Sequence, residues 1–466
     1  MSARATIAIV GAGFCGTAVA INLLRASPAS VRRVLLIERV ERQIGGVAYS
    51  TGSASHTLNV PAGRMSAFED DPDDFLRFVR AAEPSLTGGS FVPRRSYGEY
   101  LAARLDEARR ASDLPLLRVA GEVVGISEGT EAVTLTLADG RLLVADRVVL
   151  AIGNFPPSDP PANGDGFYRS LRYARDPWSP DALEGDRGED VLLLGTGLTM
   201  CDVALALRDL DHRGRIHAVS RRGLLPQPHR VSAAPPTHLH APDDLAEWPA
   251  TALGMLRGMR REVRGKEAEA VDWREVVTSI RDDTPALWRR MGTGERRRFL
   301  HRLRPYWETH RHRSSPETSF GVETLIAAGA LDVIVGRVDG YVEDDDGVVV
   351  TISRRGSRAT EELRVGKVIN CTGPDTDLAR VDVPLVRSLR ESGLVRPDEL
   401  GLGLDTDDDG RLLDREGRAS RRLFLVGPLR KGLLWENTAV PELRVEARRM
   451  AELLGGEGVG ASEQAP

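Results

Sequence analysis

The chain has 466 residues, about three times the ~150-residue prior for one domain, so two or three domains are expected. Hydrophobic residues at 41% and charged residues at 28% are those of a soluble globular protein, which excludes disorder as the main theme. The 63 basic and 68 acidic residues leave a net charge of -5, which argues against a nucleic-acid partner.

An apolar strand over residues 6–10 runs into Gly11-Ala-Gly13-Phe14-Cys15-Gly16 and a helix over 17–25. The next strand, 34–37, ends in Glu38, 22 residues after Gly16. A glycine triplet between strand and helix, followed by an acid at the next strand end, is the context of dinucleotide binding. Gly11 makes the tight turn, Gly13 lets the backbone approach a pyrophosphate, and Gly16 allows close helix–strand packing. The helix start offers free N–H groups to the anion, and Glu38 can accept from a ribose diol. Cys15, inside the turn, reads as a packing residue. Long loops fill 43–100, and 118–150 alternates as a small antiparallel meander ending in Ala151-Ile-Gly153-Asn154.

The pattern then repeats. A strand over 190–194 leads into Gly195-Thr-Gly197-Leu-Thr199-Met200 and a helix over 201–210. Met200 takes the place of the third glycine, which loosens helix–strand packing without removing the phosphate cradle. After the strand 215–219 comes Ser220-Arg221-Arg222. Arginines in place of the acid suit a 2′-phosphate, so NADPH is expected over NADH, although NADH stays possible; a solvated strand end is the plainer alternative. An Arg- and Trp-rich, helix-patterned stretch at about 240–325 reads as an insertion. A second meander, 332–370, closes in Cys371-Thr-Gly373-Pro374. A third strand, 423–426, with Gly427-Pro428 behind it, precedes a last helix over 441–454. The tail, 455–466, reads as disordered.

The expected fold is therefore α/β: two Rossmann-like dinucleotide-binding domains, each with a small β-meander, and a helical insertion in the second. The first unit, 1–185 with a return over 373–454, should hold FAD, because it receives the extra loops and the third strand. The second, 186–372, should hold the nicotinamide nucleotide. Hydride transfer between the two cofactors is the simplest chemistry for this pairing.

Three cysteines, Cys15, Cys201 and Cys371, lie far apart without a C-x-x-C pair, so a disulfide scaffold, a zinc ribbon and a dithiol reductase are disfavoured. None of the nine histidines has strong metal-ligand spacing, and no metal is expected. G-x-S-x-G is absent. With no apolar run of about 18 residues and no charged-then-apolar leader, the expected location is the cytoplasm, away from membranes.

Over nearly its whole length the chain resembles the two-dinucleotide-domain FAD/NAD(P)-binding oxidoreductases that include one type of FAD-dependent urate hydroxylase. The matching blocks are Gly45–Ser50, His56–Met65, Pro93–Gly98, Gly195–Met200, Ser220–Leu224, Arg304–Trp307, Arg311–Arg313 and Trp435–Pro441. More distantly it is similar to the class B flavin monooxygenases. Phe167, Arg169, Tyr173 and Pro177 keep the spacing of the Baeyer–Villiger fingerprint, with its glycine and histidine replaced, which argues against ketone oxygenation. Gly427 is followed by Pro428 where many flavoproteins carry an aspartate.

The resemblance implies cofactor contacts from Phe14, Cys15, Gly46, Asn154, Thr199, Gly373, Asp375, Gly427, Trp435 and Thr438, beside the glycines, Glu38, Arg221 and Arg222. Thr438 should face the flavin pyrimidine edge, with Pro441 in the first turn of the helix behind it. His56, Asn59 and Arg64 would sit beside the isoalloxazine as catalytic candidates. Arg64 would hold an anionic substrate or a nicotinamide phosphate, or else bridge two loops. Trp307, Arg311 and His312 would wall the substrate pocket, or else belong to a solvated amphipathic helix.

The activity this implies is an NAD(P)H-consuming, FAD-dependent monooxygenase acting through a flavin (hydro)peroxide on a small polar substrate, with O2 as co-substrate and urate as the leading candidate. N-hydroxylation of an amino compound in a biosynthetic pathway is the alternative. A flavin-binding redox sensor without turnover is a third reading. Nothing in the sequence sets the oligomeric state.

Overall fold

The structure is a computed structural model that describes residues 4–39, 44–231, 239–357 and 359–456. His238 and most of the expected tail lie outside the described residues. Two large sheets carry the chain. The first is six-stranded, in the order 411–413, 419–425, 147–150, 5–10, 31–38, 116–120, and all neighbours are parallel except the first pair.

The central strand, Ala5–Val10, explains why this sheet forms a middle layer. Its side chains alternate between faces. Ile7 and Ile9 pack with the helices Phe14–Ala26, Arg94–Ala111 and Val440–Gly455. Ala8 and Val10 pack on the other side with the meander and the helix Pro384–Glu391. Both faces are covered, so the strand reads as an unbroken apolar run.

The second sheet has seven strands, in the order 360–365, 347–354, 331–344, 216–220, 191–194, 367–370, 173–174. Leu193 faces the helices Leu198–Asp209 and Pro316–Ala327, while Leu192 and Leu194 face an aromatic cluster that includes Phe167, Tyr173 and Tyr341. Phe167 stacks on Tyr341 at 4.6 Å, so two positions of the altered fingerprint are core residues of this unit.

The meanders differ in how they join the sheets. The second continues the main sheet: Leu331–Asp344 is one 14-residue strand that pairs parallel with 216–220 and then, from Gly336 on and with a register shift at Val338/Gly340, antiparallel with 347–354. The first meander is a separate three-stranded sheet, 123–128, 133–137 and 142–145, and Leu116–Ala120 belongs to the main sheet instead. Before residue 185, Tyr173–Ala174 pairs with 368–369 and Asn163 bridges to Gly340, which ties this stretch to the second sheet.

Between 252 and 311 the chain forms five helices, and a sixth, Pro316–Ala327, returns it to the second sheet. Among the described residues no helix is long and apolar enough to cross a membrane.

Candidate functional site

The first glycine turn closes the end of the central strand. Gly11 has φ +104°, and a Cβ there would stand 2.4 Å from the Ala151 carbonyl oxygen, so only glycine fits. At Gly16 a Cβ would lie 1.9 Å from the Gly11 oxygen. Gly13 is different: nothing lies within 4 Å of its missing Cβ. The helix Phe14–Ala26 starts beside that open space with no side-chain cap, leaving its first N–H groups for an anion. The Glu38 carboxylate reaches the turn from the next strand and accepts the Ala12 N–H at 2.8 Å. Gly46, at φ +67°, brings its backbone against Gly13.

Phe14 and Cys15 point into the core, so only their backbone faces the turn. Burial pushes the Cys15 thiol well up, and a Cβ on Gly427 would sit 3.0 Å from its Sγ. The Gly427 N–H donates to Glu446 Oε2 at 3.1 Å, and Arg430 donates to Glu446 Oε1 at 2.7 Å. Glu446, on the buried face of the last helix, thus supplies a carboxylate at the strand end where the sequence has Pro428. A single acid among apolar positions of that helix was its signal. Thr438 is half-buried just before the helix start at Val440, where Ala439 gives no side-chain cap and Pro441 occupies the first turn.

The second turn repeats the geometry. Gly195 has φ +109° with its Cβ position 2.6 Å from the Cys371 oxygen, while Gly197 again has nothing within 4 Å. Met200 is fully buried in the core of this unit. Thr199 lies half-buried in the first turn of the helix Leu198–Asp209. Arg221 is exposed at the strand end, with no ion pair among the described residues, and Arg222 lies over the Tyr306 ring at 5.7 Å. The two closing turns meet: the Asp375 N–H donates to the Phe155 oxygen, next to exposed Asn154, and Gly373 is open at φ +91°.

The loop around residues 56–65 docks on the second unit. His56 is buried; its ring nitrogens meet Thr51 Oγ1 and, at 3.1 Å, the Asp202 carbonyl oxygen. Burial pulls this imidazole down, against the pull of Asp202. Both ring nitrogens are engaged, so His56 links this loop to the second unit. The Asn59 carbonyl oxygen meets His229 Nε2 at 3.0 Å. Arg64 is half-buried in a short helical turn, its guanidinium pulled down by burial and then by nearby Arg281.

Trp435 stacks on Trp288 at 4.6 Å, takes Phe299 edge-on and Lys431 over its face, and is 2% exposed, so it packs against the helical insertion. Arg311 stands 3.2 Å from Glu436 and 3.3 Å from Glu442, and Arg281 also pairs with Glu442. Its charge is committed, so it is not a free anion binder. Burial opposes the Glu436 carboxylate, yet Arg311, His312 and the Trp307 N–H at 2.6 Å hold it below the usual range. His312 Nε2 lies 3.8 Å from Glu436. Sequence reasoning missed Glu436, Glu442 and Asp202, whose partners lie more than a hundred residues away.

An open cradle above each glycine turn, an uncapped helix start below it and an acid or arginines at the next strand end fit one dinucleotide per unit. Residues 8–155 match the FAD-NAD(P)-binding family. Over 195 residues the chain is 27% identical to a 3-dehydro-bile acid delta(4,6)-reductase of Clostridium scindens, covering 38% of this chain and 46% of that one. The match thus spans about half of that curated relative. Among solved structures it is similar to L-lysine 6-monooxygenase from Pseudomonas syringae (17% identity, 98% and 100% of the two chains, TM-score 0.67). It is also similar to the ornithine N-hydroxylase of Kutzneria sp. 744, solved with reduced FAD, NADP+ and L-ornithine (16%, 97% and 99%, TM-score 0.61). A thioredoxin reductase from Lactococcus lactis shares the fold at 12% identity, 97% and 98% coverage and TM-score 0.55. The chain has the α/β fold of two-dinucleotide-domain flavoproteins, with FAD and NAD(P) as its cofactors, and the family match covers residues 8–155.

Proposed function

We propose that the chain is an FAD-dependent, NADPH-consuming monooxygenase that N-hydroxylates an amino compound. The observation that carries it is the pair of open cradles at Gly13 and Gly197, one in each unit. The likeness to lysine and ornithine N-hydroxylases over whole chain lengths supports this chemistry over urate hydroxylation. The dithiol chemistry of a thioredoxin reductase has no carrier here, since Cys15, Cys201 and Cys371 are all buried and unpaired.

Gly11, Gly13, Gly16, Glu38, Gly46 and the N-termini of the helices at Phe14 and Val440 would hold FAD, with Gly427 and Thr438 along its flavin side. Gly195, Gly197, Thr199, Arg221 and Arg222 would hold NADPH, and Gly373, Asp375 and Asn154 would line the seam between the nucleotides. When bound, FAD relays the two electrons of NADPH to O2. One oxygen atom enters an N–H bond to give a hydroxylamine, and the other leaves as water. The chain's task is to position the reactants and exclude bulk water; Arg64 is the side chain we assign to orienting a substrate or nicotinamide anion.

The test is NADPH oxidation by FAD-loaded protein in air with a panel of amines, with urate as a separate arm. Hydroxylamine formed in step with NADPH consumed is expected. Hydrogen peroxide as the sole oxygen product with every amine would overturn the N-hydroxylase reading.

A further inference from the structure

The helical insertion borders an open cavity of about 1170 Å³, somewhat above the ~300–1,000 Å³ usual for ligand sites. Trp248, Trp273, Trp288, Trp307 and Trp435 line it, five of the chain's six tryptophans. Met255 and Met259 add soft, adaptable surface. Most of the wall is apolar, so the chain of an elongated ligand gains more there than urate or ornithine, whose closely spaced polar atoms would be left with few partners.

Most of the charges of the lining sit on the helix Ala252–Glu267. Arg260 and Arg264 stand one turn apart on it, exposed and without an ion pair among the described residues, with the acid Glu267 also in the lining. Asp272, the other acid of the lining, is committed to Arg274. The lining also reaches toward the first unit: Trp307 donates to Glu436, two residues before Thr438. The cavity lining thus includes two unpaired arginines and a tryptophan bonded to the segment that precedes the last helix.

We propose that this cavity binds an elongated carboxylate with an apolar body, its chain against the tryptophans and its carboxylate at Arg260 and Arg264. As a binding site it stands on this geometry. Its role as the substrate chamber, with the reacting amino group toward Trp307, rests on the monooxygenase reading above.

Tryptophan emission of the full chain, incubated with added FAD, is the readout, because five of its six fluorophores line the site. Dodecanoate is expected to give a saturable change, and ornithine none. Dodecylamine should bind about tenfold more weakly than dodecanoate, and the exposed double reversal Arg260→Glu/Arg264→Glu should weaken dodecanoate about tenfold with melting temperature unchanged. No saturable change, or dodecanoate binding untouched by the reversal, overturns the site. FAD uptake and flavin bleaching by NADPH are read in the same samples, so their failure beside an intact emission change sinks the monooxygenase reading and spares the site. With 12-aminododecanoate, hydroxylamine formation supports the substrate role; binding without it, in protein that turns over another amine, overturns that role alone.

Discussion

Arg94 donates to the Asp202 carboxylate at 2.7 Å, and the two side chains are 16% and 5% exposed. The bond joins the helix Arg94–Ala111 of the first unit to Leu198–Asp209, the helix behind the second glycine turn. Burial pushes the Asp202 carboxyl up, against the opposing pull of Arg94 and then His56. Removing Arg94 leaves a buried, uncompensated charge, and Arg94→Met should destabilise by about 3 kcal/mol. Arg94→Met with Asp202→Leu should recover much of that loss. Urea unfolding of the three proteins checks it; a double variant no more stable than the single one would refute it.

The first and second glycines of the turn should fail in different ways. Gly11→Ala puts a Cβ against the Ala151 oxygen at φ +104°, so a strain of about 1–3 kcal/mol should appear as lost stability. Gly13→Trp meets open space, so the protein should fold normally and lose FAD uptake, read as flavin absorbance after gel filtration. A yellow Gly13→Trp protein would contradict the placement of the pyrophosphate.

Arg221 lies exposed after the strand that follows the second turn. If it holds a 2′-phosphate through charge-assisted bonds, Arg221→Ala should lose about 1.5–3 kcal/mol with NADPH, roughly tenfold to a hundredfold in kcat/KM. The value with NADH should be unchanged. An unaltered NADPH to NADH ratio would mean that the arginine is only a solvated strand end.

Burial, then the charge of Arg313, pushes the His229 imidazole down to about 3. Its folded value is depressed, so below about 6.5 the unfolded chain takes up the proton more readily. The stability held by neutral His229 is therefore complete above that pH and is lost progressively as pH falls toward 3. His229→Gln should flatten the fall in melting temperature between pH 7 and 5. A slope equal to wild type would show that other groups govern it.

Both glycine turns were legible because their chemistry is local: strand, turn, helix and next strand end lie within some 30 residues. The helical insertion and the last helix were legible for the same reason. The contacts of Trp435, Arg311 and His56 were not legible, because the partners that fix them, Trp288, Glu442 and Asp202, come from distant segments. The strand Tyr173–Ala174 was missed because two residues carry no periodicity, and only their pairing with 368–369 reveals them. The third strand read correctly as apolar, while Glu446 at its end could be identified only once the helix was laid across it.

The strand Ala419–Leu425 lies against Arg147–Leu150, and the helix Val440–Gly455 packs on Phe14–Ala26. Everything between residues 38 and 419 must therefore be synthesised before this layer acquires its last neighbours. Until then the part of Phe14–Ala26 that packs on Val440–Gly455 stays bare, a state that favours association between nascent chains. Truncation from the carboxyl end should accordingly harm the part synthesised first.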